Sequence, residues 1–223
     1  MKIEEIYEII EKIGVMGFST QYHGEVHTRS AHFNGFDEDG LYFRTMANKP
    51  YARQLRETGK LTVWGITNSY LSDDGGNPLF PPSLSLRLIG DVRAVPPEVI
   101  IEKARLNQRL QTAAQDIGKY PAMANGNFRM FRAKGELFDA DFEMQFRDHK
   151  VLRTRFAFGG ASFNPAGVRI TDQCIECGVC KEVCSFKAIH EGTPYACIPE
   201  RCDDCGSCLG VCPVGAILES LAF

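Results

Sequence analysis

Four cysteines stand three, three and four residues apart in "CIECGVCKEVC" (174–184), and 28 residues later "CDDCGSCLGVC" (202–212) repeats the arrangement. Aligned at that offset, residues 174–189 and 202–217 agree at eight of sixteen positions: the four cysteines, a glycine, a valine and the closing Ala-Ile. An internal duplication of this kind constrains the chain more than any other feature, because thiols at fixed short spacing serve as ligands or as disulfides. Disulfides fit poorly. The count of nine is odd, and nothing at the amino terminus reads as a secretory signal, since "MKIEEIYEIIEKIG" is acidic and amphipathic and lacks a long apolar stretch. The expected setting is therefore the cytoplasm, where structural disulfides are rare. Zinc fits poorly too, because zinc sites use two C-x2-C pairs about 15–20 residues apart rather than two quartets.

Each half reads C-x2-C-x2-C-x3-C, and the last ~55 residues resemble a bacterial-type two-cluster ferredoxin domain. In such domains the fourth cysteine of each run ligates the other cluster. Three thiolates two residues apart on a tight loop can wrap three corners of an iron–sulfur cube, and the fourth points away. Gly178 and Gly206, each after a second cysteine, let the backbone approach the cluster. The resemblance thus implies two [4Fe–4S] clusters: one on Cys174, Cys177, Cys180 and Cys212, the other on Cys202, Cys205, Cys208 and Cys184. Pro213 follows the last cysteine as the pattern expects, whereas Ser185 takes the place of the proline after Cys184. Cys197 matches no motif position and reads as a free thiol.

All nine cysteines follow residue 173, which argues for two domains of different chemistry. Residues 166–223 carry a net charge of −4 and the first 165 a net +1. Neither is the clustered basic face that nucleic acid requires, and no apolar run approaches the ~20 residues that span a bilayer. The first domain reads as α+β. "KIEEIYEIIEKIG" puts Ile3, Ile6, Ile10 and Ile13 on one helical face, closed by Gly14. Strands follow at about 15–22, 25–34 and 40–46, with turns at His23-Gly24 and "NGFDEDG". Next come a short helix in "NKPYARQLRETG", a strand in "KLTVWGIT", a loop in "LSDDGGNPLFPPS" and a strand in "LSLRLIGDVRAV". One helix is expected over "PPEVIIEKARLNQRLQTAAQ", then strands in "NFRMFRAKGELFDADFEMQF" and "HKVLRTRFAFGG". A small antiparallel barrel over 1–158, a linker over 159–167 and the cysteine-rich domain over 168–223 are the expected parts.

Within the barrel, "RSAHFNGFDEDGLYFRTMANKPYARQL" is similar to the flavin-binding core of the pyridoxamine phosphate oxidase-like split-barrel family. The likeness implies FMN, with Arg29, Arg44, Thr45 and Lys49 fixing its phosphate at the start of a short helix. It implies that the ring lies along the strand of Ser30, Ala31, His32 and Asn34, and that the chain forms a homodimer. Solvated surface remains the competing reading for the basic side chains, and a half-buried, hydrogen-bonded role the competing one for His32. His27 and His32 are expected on opposite faces of their strand, His23 and His149 in surface turns, and Trp64 in the core. The arginine-rich tail of the family's oxidase members is replaced here by the cysteine domain, so the B6 oxidase activity is not expected. Two functions follow. One is a flavin-dependent oxidoreductase whose clusters pass single electrons to or from FMN, serving a redox partner protein or a small-molecule substrate. The other is an electron-transfer or redox-sensing protein whose barrel is a dimerising scaffold with a pocket that is empty or holds a different group.

Overall fold

The structure, a computed structural model, describes residues 1–67, 83–139, 153–162 and 167–219. The loop expected over "LSDDGGNPLFPPS" (but for its last residue), His149, the middle of the linker and the last four residues lie outside the described residues. The chain divides into two compact units. The first holds the described residues 1–67, 85–136 and 156–162, and the second 83–84, 137–139, 153–155 and 167–219.

In the first unit, helix α1 (Ile3–Ile13) buries Ile6, Tyr7 and Ile10 and stops at Gly14, whose φ of 75° only glycine adopts readily. Strands β1 (Met16–Tyr22) and β2 (Glu25–Ala31) form a hairpin through the tight turn at His23-Gly24. Next come β3 (Phe33–Asp37), β4 (Gly40–Arg44), α2 (Pro50–Thr58), β5 (Lys60–Ile66) and β6 (Leu84–Ala94). After α3 (Pro97–Ala104), α4 (Gln111–Lys119) and the single turn α5 (Pro121–Ala124) come β7 (Asn127–Asp139) and β8 (Arg153–Phe158), of which residues 137–139 and 153–155 belong to the second unit.

The eight strands make one sheet in the order β2-β1-β5-β6-β7-β4-β3, with β8 pairing β7. Phe18 on β1 meets Phe33 on β3 and Phe43 on β4 at ring separations of 4.9 and 5.3 Å. Those strands stand far apart in the sheet order, so the sheet curls over a shared aromatic core that Phe128 on β7 completes. Each such ring, fully buried, contributes about 1.5–3 kcal/mol. Alternation decides what points inward: Met16, Phe18 and Thr20 on β1, Leu61 and Val63 on β5, and Leu86 and Leu88 on β6 are buried.

Three sequence expectations are corrected. Trp64 is not core: it sits out of phase with Leu61 and Val63 on β5 and is 53 % exposed. The strand expected over 25–34 is broken at His32 into β2 and β3, and Asn34 is the extra residue of a bulge between the Phe33–Phe43 and Gly35–Tyr42 pairs. The single helix expected over 96–115 is interrupted at Leu106-Asn107. There the Asn107 side chain accepts the Arg109 N–H at 3.1 Å and donates to the Phe36 carbonyl at 2.6 Å, competing with the helical ladder. A 3-10 turn (Gln108–Leu110) follows before α4.

The second unit is built from short pieces: α6 (Val179–Glu182) and the two-stranded ladders of β9 (Arg169–Ile170) with β12 (Ile217–Leu218) and β10 (Ile189–His190) with β11 (Ala196–Cys197). Among its described residues, Val168, Cys180, Ile189 and Ile217 form the buried cluster. Among the described residues, no helix is long and apolar enough to cross a membrane.

Candidate functional site

The duplicated sequence folds as a duplicated backbone. Positive φ angles occur at Glu176, Gly178 and Lys187 (57°, 82°, 51°) and again 28 residues on at Asp204, Gly206 and Gly215 (54°, 74°, 62°). These left-handed residues turn backbone N–H groups onto sulfur. The N–H of Glu176 reaches Cys174 Sγ at 3.4 Å and that of Asp204 reaches Cys202 Sγ at 3.4 Å. Likewise Ala188 N–H donates to Cys184 Sγ at 3.3 Å and Ala216 N–H to Cys212 Sγ at 3.2 Å. Such donors stabilise a thiolate over a thiol.

Two cysteine-lined cavities result. Cys174, Cys177, Cys180 and Cys212 line the first, with Ile170, Tyr195 and Ile217. Cys202, Cys205, Cys208 and Cys184 line the second, with Val168, Phe186 and Ile189. The fourth cysteine of each run thus lines the cavity of the other run. All nine cysteines are free thiols. Among the described residues, no group of three or more His, Cys, Asp or Glu side chains is drawn together as one metal ion would need. Four thiols lining one cavity are the donor set that an iron–sulfur cube takes.

The thiols differ in proton affinity. Burial pushes Cys180 up and Cys208 up to about 11. Cys202 is drawn down to about 6, chiefly by a hydrogen bond from Cys197, which is raised in turn. Cys212 is lowered because N–H groups of Val214, Ala216, Gly215 and Ile217 outweigh its desolvation. Cys197 therefore has a neighbour that the motif does not reveal. Gly167, at φ 83°, permits this packing, since a Cβ there would lie 2.8 Å from Cys197 Sγ and 3.1 Å from Cys202 Cβ.

In the barrel, the residues expected to hold a phosphate are only partly assembled. Arg29 on β2 turns toward α2: its Nη1 donates to Gln54 Oε1 at 3.0 Å and its guanidinium lies 4.2 Å over the Tyr51 ring. Thr20 donates to the same oxygen at 3.1 Å. Lys49 stands at the position before α2, makes no side-chain cap bond and is exposed. Thr45 donates its N–H to the Gly126 carbonyl at 2.9 Å. Arg44 points elsewhere, pairing with Asp116 at 2.6 Å and donating to the Thr112 carbonyl at 3.3 Å, both on α4. Ser30 and His32 are exposed, Ala31 and Asn34 half-buried.

Two buried polar atoms, Asn34 Oδ1 and Tyr51 Oη, have no hydrogen-bond partner among the described residues. Desolvation pushes the Tyr51 hydroxyl strongly upward, so it stays protonated. Unpaired buried groups are costly and are commonly satisfied by a ligand or water. Arg56 was not singled out in the sequence. It donates to the Ala47 carbonyl at 3.2 Å and the Asn125 carbonyl at 2.7 Å, fixing the loop that carries Lys49. An arginine in the last turn of a helix gives no signal of such a reach.

Residues 198–218 match the 4Fe-4S binding domain family, which encloses the second cysteine run. No curated protein matches the chain. Among solved structures, the chain is similar to a NimC/NimA family protein from Clostridium acetobutylicum, with 16 % identity, 70 % of this chain and 91 % of that chain covered, and a TM-score of 0.48. It is similar to a heme binding protein from Mycobacterium smegmatis, with 14 % identity, coverage of 73 % and 62 %, and a TM-score of 0.49. A protein of the pyridoxinephosphate oxidase family from Clostridium acetobutylicum, related to general stress protein 26, gives 12 % identity, coverage of 70 % and 93 %, and a TM-score of 0.45. The chain carries a 4Fe-4S binding region at residues 198–218, after an α+β domain built on one eight-stranded sheet.

Proposed function

We propose that the protein is a flavin-dependent oxidoreductase in which two [4Fe–4S] clusters pass single electrons to or from FMN held in the barrel over 1–158, with 159–167 as linker and 168–223 as the cluster domain. The observation that carries the electron-transfer part is the exchange of Cys184 and Cys212 between the two cysteine-lined cavities. Bound FMN would supply the conversion between one-electron and two-electron chemistry. The chain's own part is placement. Lys49 at the start of α2 offers a cation to a phosphate, and the Tyr51 N–H an amide, since Pro50 has none and those of Ala52 and Arg53 already donate to the Lys49 carbonyl. Tyr51 Oη and Asn34 Oδ1 offer a donor and an acceptor still lacking partners, and Arg29 is braced for its role by Gln54 and Tyr51. The homodimer has a face to use, because Val26, Trp64 and Ile89 are 71, 53 and 40 % exposed at outward positions of β2, β5 and β6.

A second reading, in which the barrel is a dimerising scaffold without FMN, draws on Arg44 and Arg29. Both already have protein partners, Asp116 and Gln54. Anaerobic purification with iron, sulfide and flavin quantitation separates the readings. Eight irons and one acid-released FMN per chain, sedimenting as a dimer, are expected. Eight irons with no flavin would leave the scaffold reading standing, and four irons or zinc would end the two-cluster reading.

A further inference from the structure

Strand β8 begins with two arginines two residues apart, hence on one face. Both are largely buried, with side chains 17 % (Arg153) and 8 % (Arg155) exposed. Arg153 donates from Nη2 to Asp203 Oδ1 at 3.1 Å and from Nη1 to Asp204 Oδ2 at 3.2 Å, and Arg155 Nη2 donates to the same Asp204 Oδ2. The other oxygen of Asp204 accepts the Gly167 N–H at 3.0 Å and lies 3.8 Å from Cys202 Sγ. Two guanidiniums are thus packed against Asp203 and Asp204, the two residues that join Cys202 to Cys205. Among the described residues, the first cysteine run has nothing equivalent. Glu176, the counterpart of Asp204, is exposed, and its carboxylate has no ion-pair partner among the described residues.

We infer that Arg153 and Arg155 are positioning residues that offset the Asp203 and Asp204 charges and thereby set the reduction potential of the cluster on Cys202, Cys205, Cys208 and Cys184 apart from that of its twin. The inference rests on the two-cluster reading. A cluster bound by four thiolates becomes more negative on reduction. A carboxylate beside a ligand sulfur therefore disfavours the electron, and a guanidinium in the same partly buried setting favours it. With both in place the loop can carry two acids next to a ligand. Without the arginines the same loop opposes reduction.

The test is a redox titration of the full-length holoprotein followed by electron paramagnetic resonance. Arg155→Met should displace one of the two reduction waves to lower potential and leave the other in place. Asp204→Asn, which keeps an oxygen for the Gly167 N–H, should raise the same wave, and the double variant should fall between the two. Arg155→Lys, retaining charge, should stay near the parent. The inference fails if both waves move together, if neither moves, or if Arg155→Lys behaves like Arg155→Met. Should Arg155→Met lose iron, Asp204→Asn decides by whether it raises a single wave. Four irons in the parent would sink the two-cluster reading itself, an outcome distinct from eight irons with no wave displaced.

Discussion

Gln54 is 5 % exposed, and its side-chain oxygen takes two hydrogen bonds, one from Thr20 and one from Arg29. Replacing it with leucine keeps the bulk and removes the acceptor, leaving a buried hydroxyl and a partly buried guanidinium donor unpaired. We expect Gln54→Leu to cost about 1–3 kcal/mol in urea unfolding of the barrel. At this scale the sequence is least informative. Arg29 and Arg44 look alike as phosphate ligands, yet one is stacked on Tyr51 and the other is tied to Asp116. Trp64 reads as core by composition, and strand parity alone turns it outward. The thiols are the exception, because iron–sulfur ligation depends on spacing along the chain and spacing is visible.

Among elements, the β3–β4 hairpin is fastened to α3 by Lys103, whose ammonium donates to Asp37 at 2.5 Å and Asp39 at 2.9 Å, while Arg129 on β7 pairs with Asp39 at 2.8 Å. Asp39 is held below the ordinary carboxylate range, first by the Lys103 hydrogen bond, against desolvation, and then by the Arg129 charge. A carboxyl whose folded value is depressed adds stability above its unfolded value near 4, and that stability is lost as pH falls through the folded value. Lys103→Met should therefore flatten the loss of stability below about pH 4, a change to be measured by denaturant titration across pH 2–6. Most of these elements were legible: α1, α2 and β1, β4, β5 and β6 lie where periodicity, glycine and turn residues put them. The break of the long helix at Leu106-Asn107 was not, because it depends on an Asn107 bond to Phe36, 71 residues away.

For the molecule, the two units draw on different sources of stability. The first has an aromatic and aliphatic core around Phe18, Phe43 and Phe128, whereas the described residues of the second bury only Val168, Cys180, Ala188, Ile189, Ala216 and Ile217 as hydrophobic side chains. So small a core rarely holds a fold without metal or disulfide. Anaerobic removal of iron with a chelator should raise amide hydrogen exchange throughout 167–219 while β1, β5 and β6 stay protected. Equal protection in both units after iron removal would contradict this. What the sequence by itself determined is the chemistry of the tail and the alternation of the barrel strands, since ligand spacing and strand period are local properties of the chain. Only the tertiary structure decided which cations are already neutralised by acids, and that β8 arginines brace the second cysteine loop. Those outcomes depend on residues distant in sequence meeting in space, and no local pattern encodes such meetings.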